Sequence, residues 1–185
     1  MRSTSQSADI RWSGTEEADV TRSRHVLVVA TVMVLLALVG PTPAQAAPPA
    51  RCGVDLAAPR IAAAVHTLPP YPGTDWAWSV TPATVAGNFD PCATLSTALV
   101  TVTGATASSP VTALMFHDGD YLGTATSKAY GFTTFDRDRT TDDTVVLDYE
   151  VPGACNACAP ASVSSVRYRW QGDHVEMLDP APPPA

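Results

Sequence analysis

Lysine is nearly missing from this sequence: Lys128 is the only one in 185 residues. From Ala47 onward seven Lys and Arg face fourteen Asp and Glu, so that part of the chain is acidic. The shortage excludes the basic stripe with which nucleic-acid binders displace counterions from phosphates. It equally excludes docking on anionic lipid through a polybasic patch. The acidity reads first as solubility. Catalytic signatures are also missing. There is no G-x-S-x-G elbow and no H-E-x-x-H pair, and each of those chemistries needs its residues at that spacing. The expectation is a chain without catalytic residues, cofactor or metal.

One long apolar run is present. Val26 to Val39 reads VLVVATVMVLLALV, preceded by Arg22, Arg24 and His25 and followed by Gly40-Pro41. Ala44-Gln45-Ala46 then offers a small-residue cleavage site, which completes the three-part pattern of a signal peptide. At about 1.5 Å per residue the run spans roughly 21 Å, short of a hydrocarbon core of about 30 Å. Residues 1–46 are therefore read as a signal peptide with cleavage after Ala46, an uncleaved anchor being the alternative. The basic residues precede the run, so either way the rest of the chain lies outside. Asp9, Glu16, Glu17 and Asp19 make the n-region atypically long and acidic. A start at Val20 would leave a compact leader.

Residues 47–51 continue a Pro/Ala-rich linker, 52–180 form the domain, and 181–185 are a Pro-rich tail. Within the domain, Ile61, Val65 and Leu68 recur at helical spacing behind Pro59, and Pro69-Pro70-Tyr71-Pro72-Gly73 ends that helix. Asp90-Pro91 suggests a second helical turn. The rest reads as strands. Val111–Phe116 and Tyr121–Thr126 flank Asp118-Gly119, a tight hairpin turn. Val145, Leu147, Tyr149 and Val151 alternate with Val146, Asp148 and Glu150, and Val166, Tyr168 and Trp170 alternate with Arg167 and Arg169. Alternation puts one face on a core and one in water. Gln171-Gly172 turns the chain into Val175–Leu178. The fold class is α+β: a mostly antiparallel sheet of about five to seven strands, built of hairpins, with one short helix on a face.

Cys52, Cys92, Cys155 and Cys158 form an even set in an exported domain, which implies disulfides with three connectivities open. Cys52–Cys92 with Cys155–Cys158 is favoured, tying the helix to the sheet and stapling a strand connection. Cys155-Asn156-Ala157-Cys158 also invites a redox reading, but a reactive thiol there needs a helix to open, and Pro152-Gly153 and Pro160 bracket it. A four-cysteine zinc site suits the count and not the oxidising compartment. Asp136-Arg137-Asp138-Arg139 with Asp142-Asp143 fails the calcium-loop pattern, because Thr141 and Leu147 stand where Gly and Glu are needed. It reads as a solvated, self-paired loop. His117 and His174 lie beside turns near Asp118, Asp120 and Asp173, where a general base is conceivable and solvation the plainer reading. Trp76 and Trp78, two apart, face one side of a strand, packing the core or lining a groove.

Several stretches taken in order carry a resemblance. They are Asn88-Phe89-Asp90-Pro91-Cys92-Ala93, Phe116-His117-Asp118-Gly119-Asp120-Tyr121-Leu122-Gly123-Thr124-Ala125, Asp142-Asp143-Thr144-Val145-Val146-Leu147, Cys155-Asn156-Ala157-Cys158-Ala159 and Val166-Arg167-Tyr168-Arg169-Trp170. Together they resemble the LppP/LprE lipoprotein family of mycobacteria and related actinobacteria. The resemblance implies an envelope protein and brings no catalytic residues. The chain departs from it at the lipid box, since Cys52 follows Pro49-Ala50-Arg51. The expectation is thus a secreted or envelope-associated product without a stable membrane anchor after signal cleavage. It would act as a non-enzymatic module binding a wall component or a protein partner through its sheet face or hairpin loops. The rivals are a thiol-disulfide or hydrolytic enzyme, using Cys155/Cys158 or His117, and a secreted protease inhibitor.

Overall fold

A computed structural model of the chain describes residues 51–180. The signal segment and the tail expected at 1–46 and 181–185 lie outside the described residues.

The first element is the helix α1, Pro59–Val65. Pro59 opens it, because the missing N–H has no intrahelical partner in the first turn. Ile61, Ala64 and Val65 are buried on one face, and Leu68 packs beside them. The helix closes as His66 N–H reaches Ala62 O, while Thr67 Oγ1 donates to Ala64 O at 2.7 Å. Two prolines then forbid another turn.

Eight strands follow: β1 Ala86–Gly87, β2 Ser96–Thr101, β3 Val111–His117, β4 Asp120–Thr124, β5 Thr133–Phe135, β6 Thr144–Val151, β7 Ser162–Trp170 and β8 Val175–Met177. They form two antiparallel four-stranded meanders, β1-β2-β3-β4 and β5-β6-β7-β8. One sheet was expected with a helix on one face; the chain instead builds three layers. Ala98, Val100, Leu114 and Phe116 face α1 and Phe89. Leu99, Ala113 and Met115, on the opposite face of the same sheet, meet Val145, Leu147, Tyr149, Val166 and Tyr168 of the second sheet. The first sheet is covered on both sides, which is why β2 and β3 read as continuous apolar runs rather than as alternation.

In the second sheet the expected alternation places Val145, Leu147 and Tyr149 inward. Val146, on the outer face, is buried as well. The loop after β5 returns over it: Asp136 N–H donates to Val146 O and Val146 N–H to Thr140 Oγ1, both at 3.0 Å. Asp118 and Gly119 both take positive φ, 49° and 77°, as the β3–β4 turn requires. The helical turn expected at Asp90-Pro91 is a plain turn. The Asp90 carboxylate accepts from Cys92 N–H and, from the other oxygen, Gly53 N–H, both at 2.9 Å. A side chain so occupied caps a turn instead of starting a helix.

Sulfurs pair as Cys52–Cys92 and Cys155–Cys158. Among the described residues no helix is long and apolar enough to cross a membrane.

Candidate functional site

The sequence singled out two tryptophans; the structure places Trp78 in the wall of a cleft and stacks Trp76 on that wall's Tyr71. After α1 the chain loops back on itself. Tyr71 N–H donates to Trp76 O at 3.3 Å, and Thr74 Oγ1 donates to Tyr71 O at 2.9 Å. The loop then lies along the end of β2, with Ser79 N–H on Thr101 O at 2.7 Å and Trp78 bridged to Val102. This fixes three rings against each other. Tyr71 stacks on Trp76 at 6.1 Å and meets Trp78 edge-on at 6.3 Å. Trp78 Nε1 donates to Pro69 O at 2.9 Å, so its indole is locked. Trp76 is 49 % exposed; the core-packing expectation fails for it, because the loop carries it clear of the sheet. Trp78 packs against the helix–sheet core with one side and faces the cleft with the other.

The cleft has a volume of about 630 Å³, the size of a small-molecule site. Leu68, Pro69, Pro70, Tyr71, Pro72 and Trp78 form one wall. Tyr121, Gly123 and Thr124 of β4 and the following Thr126, Ser127 and Lys128 form the other. Burial pushes the Tyr121 phenol above its ordinary value, and a hydrogen bond with Thr67 works against that shift. The second wall is held by its own hydroxyls: Thr124 Oγ1 donates to Thr126 O at 2.8 Å, and Thr126 Oγ1 to Lys128 O at 2.7 Å. No Asp, Glu, His or Cys lines the cleft. Sequence reasoning read Pro69–Gly73 only as a helix stop and missed Tyr71, Tyr121 and Lys128 as wall residues. The usable signal was the clustering of Tyr71, Trp76 and Trp78 among prolines.

The other candidates lie elsewhere. A second groove, of about 370 Å³, runs between the edge strands β4 and β8 over Met115, Tyr168 and Trp170, with the exposed Leu122 and Met177 on its rims. His117 is a structural tie. Its Nδ1 lies 2.7 Å from Thr94 O, and since a carbonyl only accepts, Nδ1 carries the proton. The ring stacks on Trp170 at 3.8 Å, joining the ends of β3 and β7, and Asp118 Oδ2 lies 3.4 Å from Nε2. His174 pairs with its exposed neighbour Asp173 at 2.7 Å. His66 is exposed at the end of α1.

Cys155 and Cys158 sit in an exposed turn between β6 and β7, so the helix that would activate a thiol there is not present. The acidic loop is self-paired. Arg139 bridges Asp136 at 2.5 Å and Asp148 at 2.7 Å, and the guanidinium holds the Asp136 carboxyl below its usual range. Asp142 accepts from Thr94 Oγ1 at 2.7 Å, and Asp143 from Thr141 and Thr144. Among the described residues no group of three or more His, Cys, Asp and Glu is placed to hold a metal ion.

The profile of the LppP/LprE lipoproteins matches residues 87–173. That span holds both sheets as far as β7, with Tyr121 and Lys128, while Tyr71 and Trp78 precede it. The chain is similar to a protein of Mycobacterium tuberculosis named as a lipoprotein, LprE: 38% identity over 128 residues, covering 69% of this chain and 58% of that one. A protein of the same name from Mycobacterium leprae is 34% identical over 142 residues, covering 73% of this chain and 66% of the relative. The chain thus spans less than two thirds of the length of the curated relatives it matches. No solved structure matches it. With the motifs in order across both sheets, residues 87–173 of the chain are a domain of the LppP/LprE lipoprotein family.

Proposed function

We propose that this is an exported, non-enzymatic binding module of the cell envelope, and that its ligand occupies the cleft between the Tyr71–Trp78 loop and β4. The observation that carries the reading is the make-up of the lining. Rigid aromatic and proline walls, a few hydroxyls and one ammonium surround a volume suited to a small molecule. Such a wall recognises by shape and apolar contact, and it needs no ordering on binding because its rings are already held. No nucleophile with an adjacent base lines the space, whereas covalent and acid–base catalysis require those pairs within hydrogen-bond reach. The site differs from the sheet face and hairpin loops expected from sequence, and the β3–β4 tip is engaged in bracing the fold: Arg60 of α1 donates to Gly119 O at 2.8 Å and to Asp120 at 2.6 Å.

The test is a tryptophan-fluorescence and thermal-shift titration of the purified protein with lipid and glycan fractions of a mycobacterial envelope. At least one fraction should change Trp emission and raise Tm in the wild type, and neither effect should survive Tyr71→Ala with Trp76→Ala. A response that persists unchanged in this variant, or no response to any fraction, defeats the reading.

A further inference from the structure

We infer that the cleft takes an amphiphile with one anionic headgroup, its apolar body along Leu68, Tyr71 and Trp78 and its carboxylate or phosphate at Lys128. This rests on the binding reading above and names the ligand class for that site.

The argument is one of charge. The chain carries a net charge of −7, so an anion is repelled by the surface at large. The cleft is the exception. Its only ionisable lining residues are Lys128, Tyr71 and Tyr121, with no carboxylate among them. Lys128 is thus the one formally charged side chain of the lining. Lys128 is exposed, and no carboxylate of the described residues pairs with it. An unpaired ammonium beside an apolar wall favours an anion, leaves a neutral molecule indifferent, and repels a cation. Position matters as much as sign. The hydrogen bonds from Thr124 to Thr126 and from Thr126 to Lys128 fix the backbone at the mouth of the cleft, with Ser127 beside it. The aromatic wall stands across from it. One wall of the cleft thus suits the apolar part of an amphiphile and the other its charged end. One ammonium with hydroxyls matches one anionic headgroup and offers nothing to a polyanion.

Because Lys128 is the only lysine, an amine-acetylating reagent reports on this cleft as a single internal peptide. The probes are decanoate, decyl phosphate, a neutral decyl glucoside and decyltrimethylammonium, all below their micellar concentrations. Decanoate, decyl phosphate or both should quench Trp emission and protect Lys128 from acetylation; which of the two does so separates a carboxylate from a phosphate source. Lys128→Gln should weaken the anionic probe about fivefold, the scale of an exposed ion pair, leave the glucoside unchanged and spare Tm. Lys128→Arg should restore the preference. If the glucoside binds as tightly as the anions and Lys128→Gln changes nothing, the charge assignment is wrong while the binding site stands. If no probe quenches Trp emission or protects Lys128, the assignment fails, and failure of the envelope fractions as well would remove the binding reading with it.

Discussion

Tyr149 and Tyr168 meet hydroxyl to hydroxyl at 2.8 Å in the layer between the two sheets, with side chains 3 % and 1 % exposed. Burial pushes both phenols above their ordinary value, most strongly that of Tyr168. Each hydroxyl is the other's hydrogen-bond partner. Tyr149→Phe therefore strands a buried hydroxyl and should cost about 1–3 kcal/mol, while removing both hydroxyls should be closer to neutral. Urea unfolding of Tyr149→Phe, Tyr168→Phe and the double variant decides it: a double variant less stable than Tyr149→Phe alone would sink the account. The alkaline limb follows from the same burial. A phenol raised on folding contributes stability that is present below its ordinary pKa and lost as pH rises beyond it. These two should ionise only together with unfolding, which an ultraviolet titration followed alongside circular dichroism would reveal.

At the scale of elements, β8 has three residues and lies at the sheet edge, too short to hold by pairing alone. A latch beyond it supplies the rest. Asp179 accepts from Arg167 N–H at 3.1 Å and from its guanidinium at 2.8 and 2.9 Å, and Leu178 N–H donates to Arg167 O. The guanidinium, then the backbone N–H, lowers the Asp179 carboxyl from 3.8 to about 2. A depressed carboxyl contributes above its unfolded pKa and loses that contribution as pH falls through the folded one. Amides of Val175–Met177 should therefore exchange faster as pH drops from about 4 to about 2, after correction for intrinsic rates. Asp179→Asn should exchange fast already at pH 7 and lose that extra dependence; slow exchange in the variant would remove the latch. This latch was not legible in sequence, since it joins residues twelve apart through a register that only the folded β7–β8 pair sets. What was legible had local causes: Pro59 opening α1, positive φ at Asp118-Gly119, alternation along β6 and β7. What escaped needed a partner from elsewhere. The two-residue β1 pairs only because Gly87 lets Thr97 O approach where a Cβ would stand 2.3 Å away. The second sheet was missed because the apolar run Val111–Phe116 asks for cover on both faces without saying that one cover is a helix and the other a sheet. Of the cleft, the two tryptophans were visible as a pair, but Tyr121 and Lys128 join them only through the fold.

On the scale of the whole molecule, the four sulfurs decide how the domain is stapled. Cys52, the first cysteine in the chain, is bonded to Cys92 across 40 residues. The loop it closes contains α1 and the Tyr71–Trp78 wall, so the bridge pins one side of the cleft to the sheets. Closing a loop of that length is worth about 4 kcal/mol in the chain-entropy model, against about 2 for the tight Cys155–Cys158 ring. Cys52→Ala with Cys92→Ala should accordingly lower stability about twice as much as Cys155→Ala with Cys158→Ala, and should also weaken any ligand of the cleft. A sulfur in a disulfide has no valence left for a thioether. A lipid on Cys52 would open the bridge, free Cys92 and unpin the wall. The native protein should therefore show two disulfides, no free thiol and no added diacylglycerol mass; if residues 1–46 are cleaved off as expected, it should also enter the aqueous phase on detergent partitioning. Diacylglycerol mass on the Cys52 peptide, with Cys92 open to alkylation, would mean that the native domain is tethered at the point where this fold needs its staple.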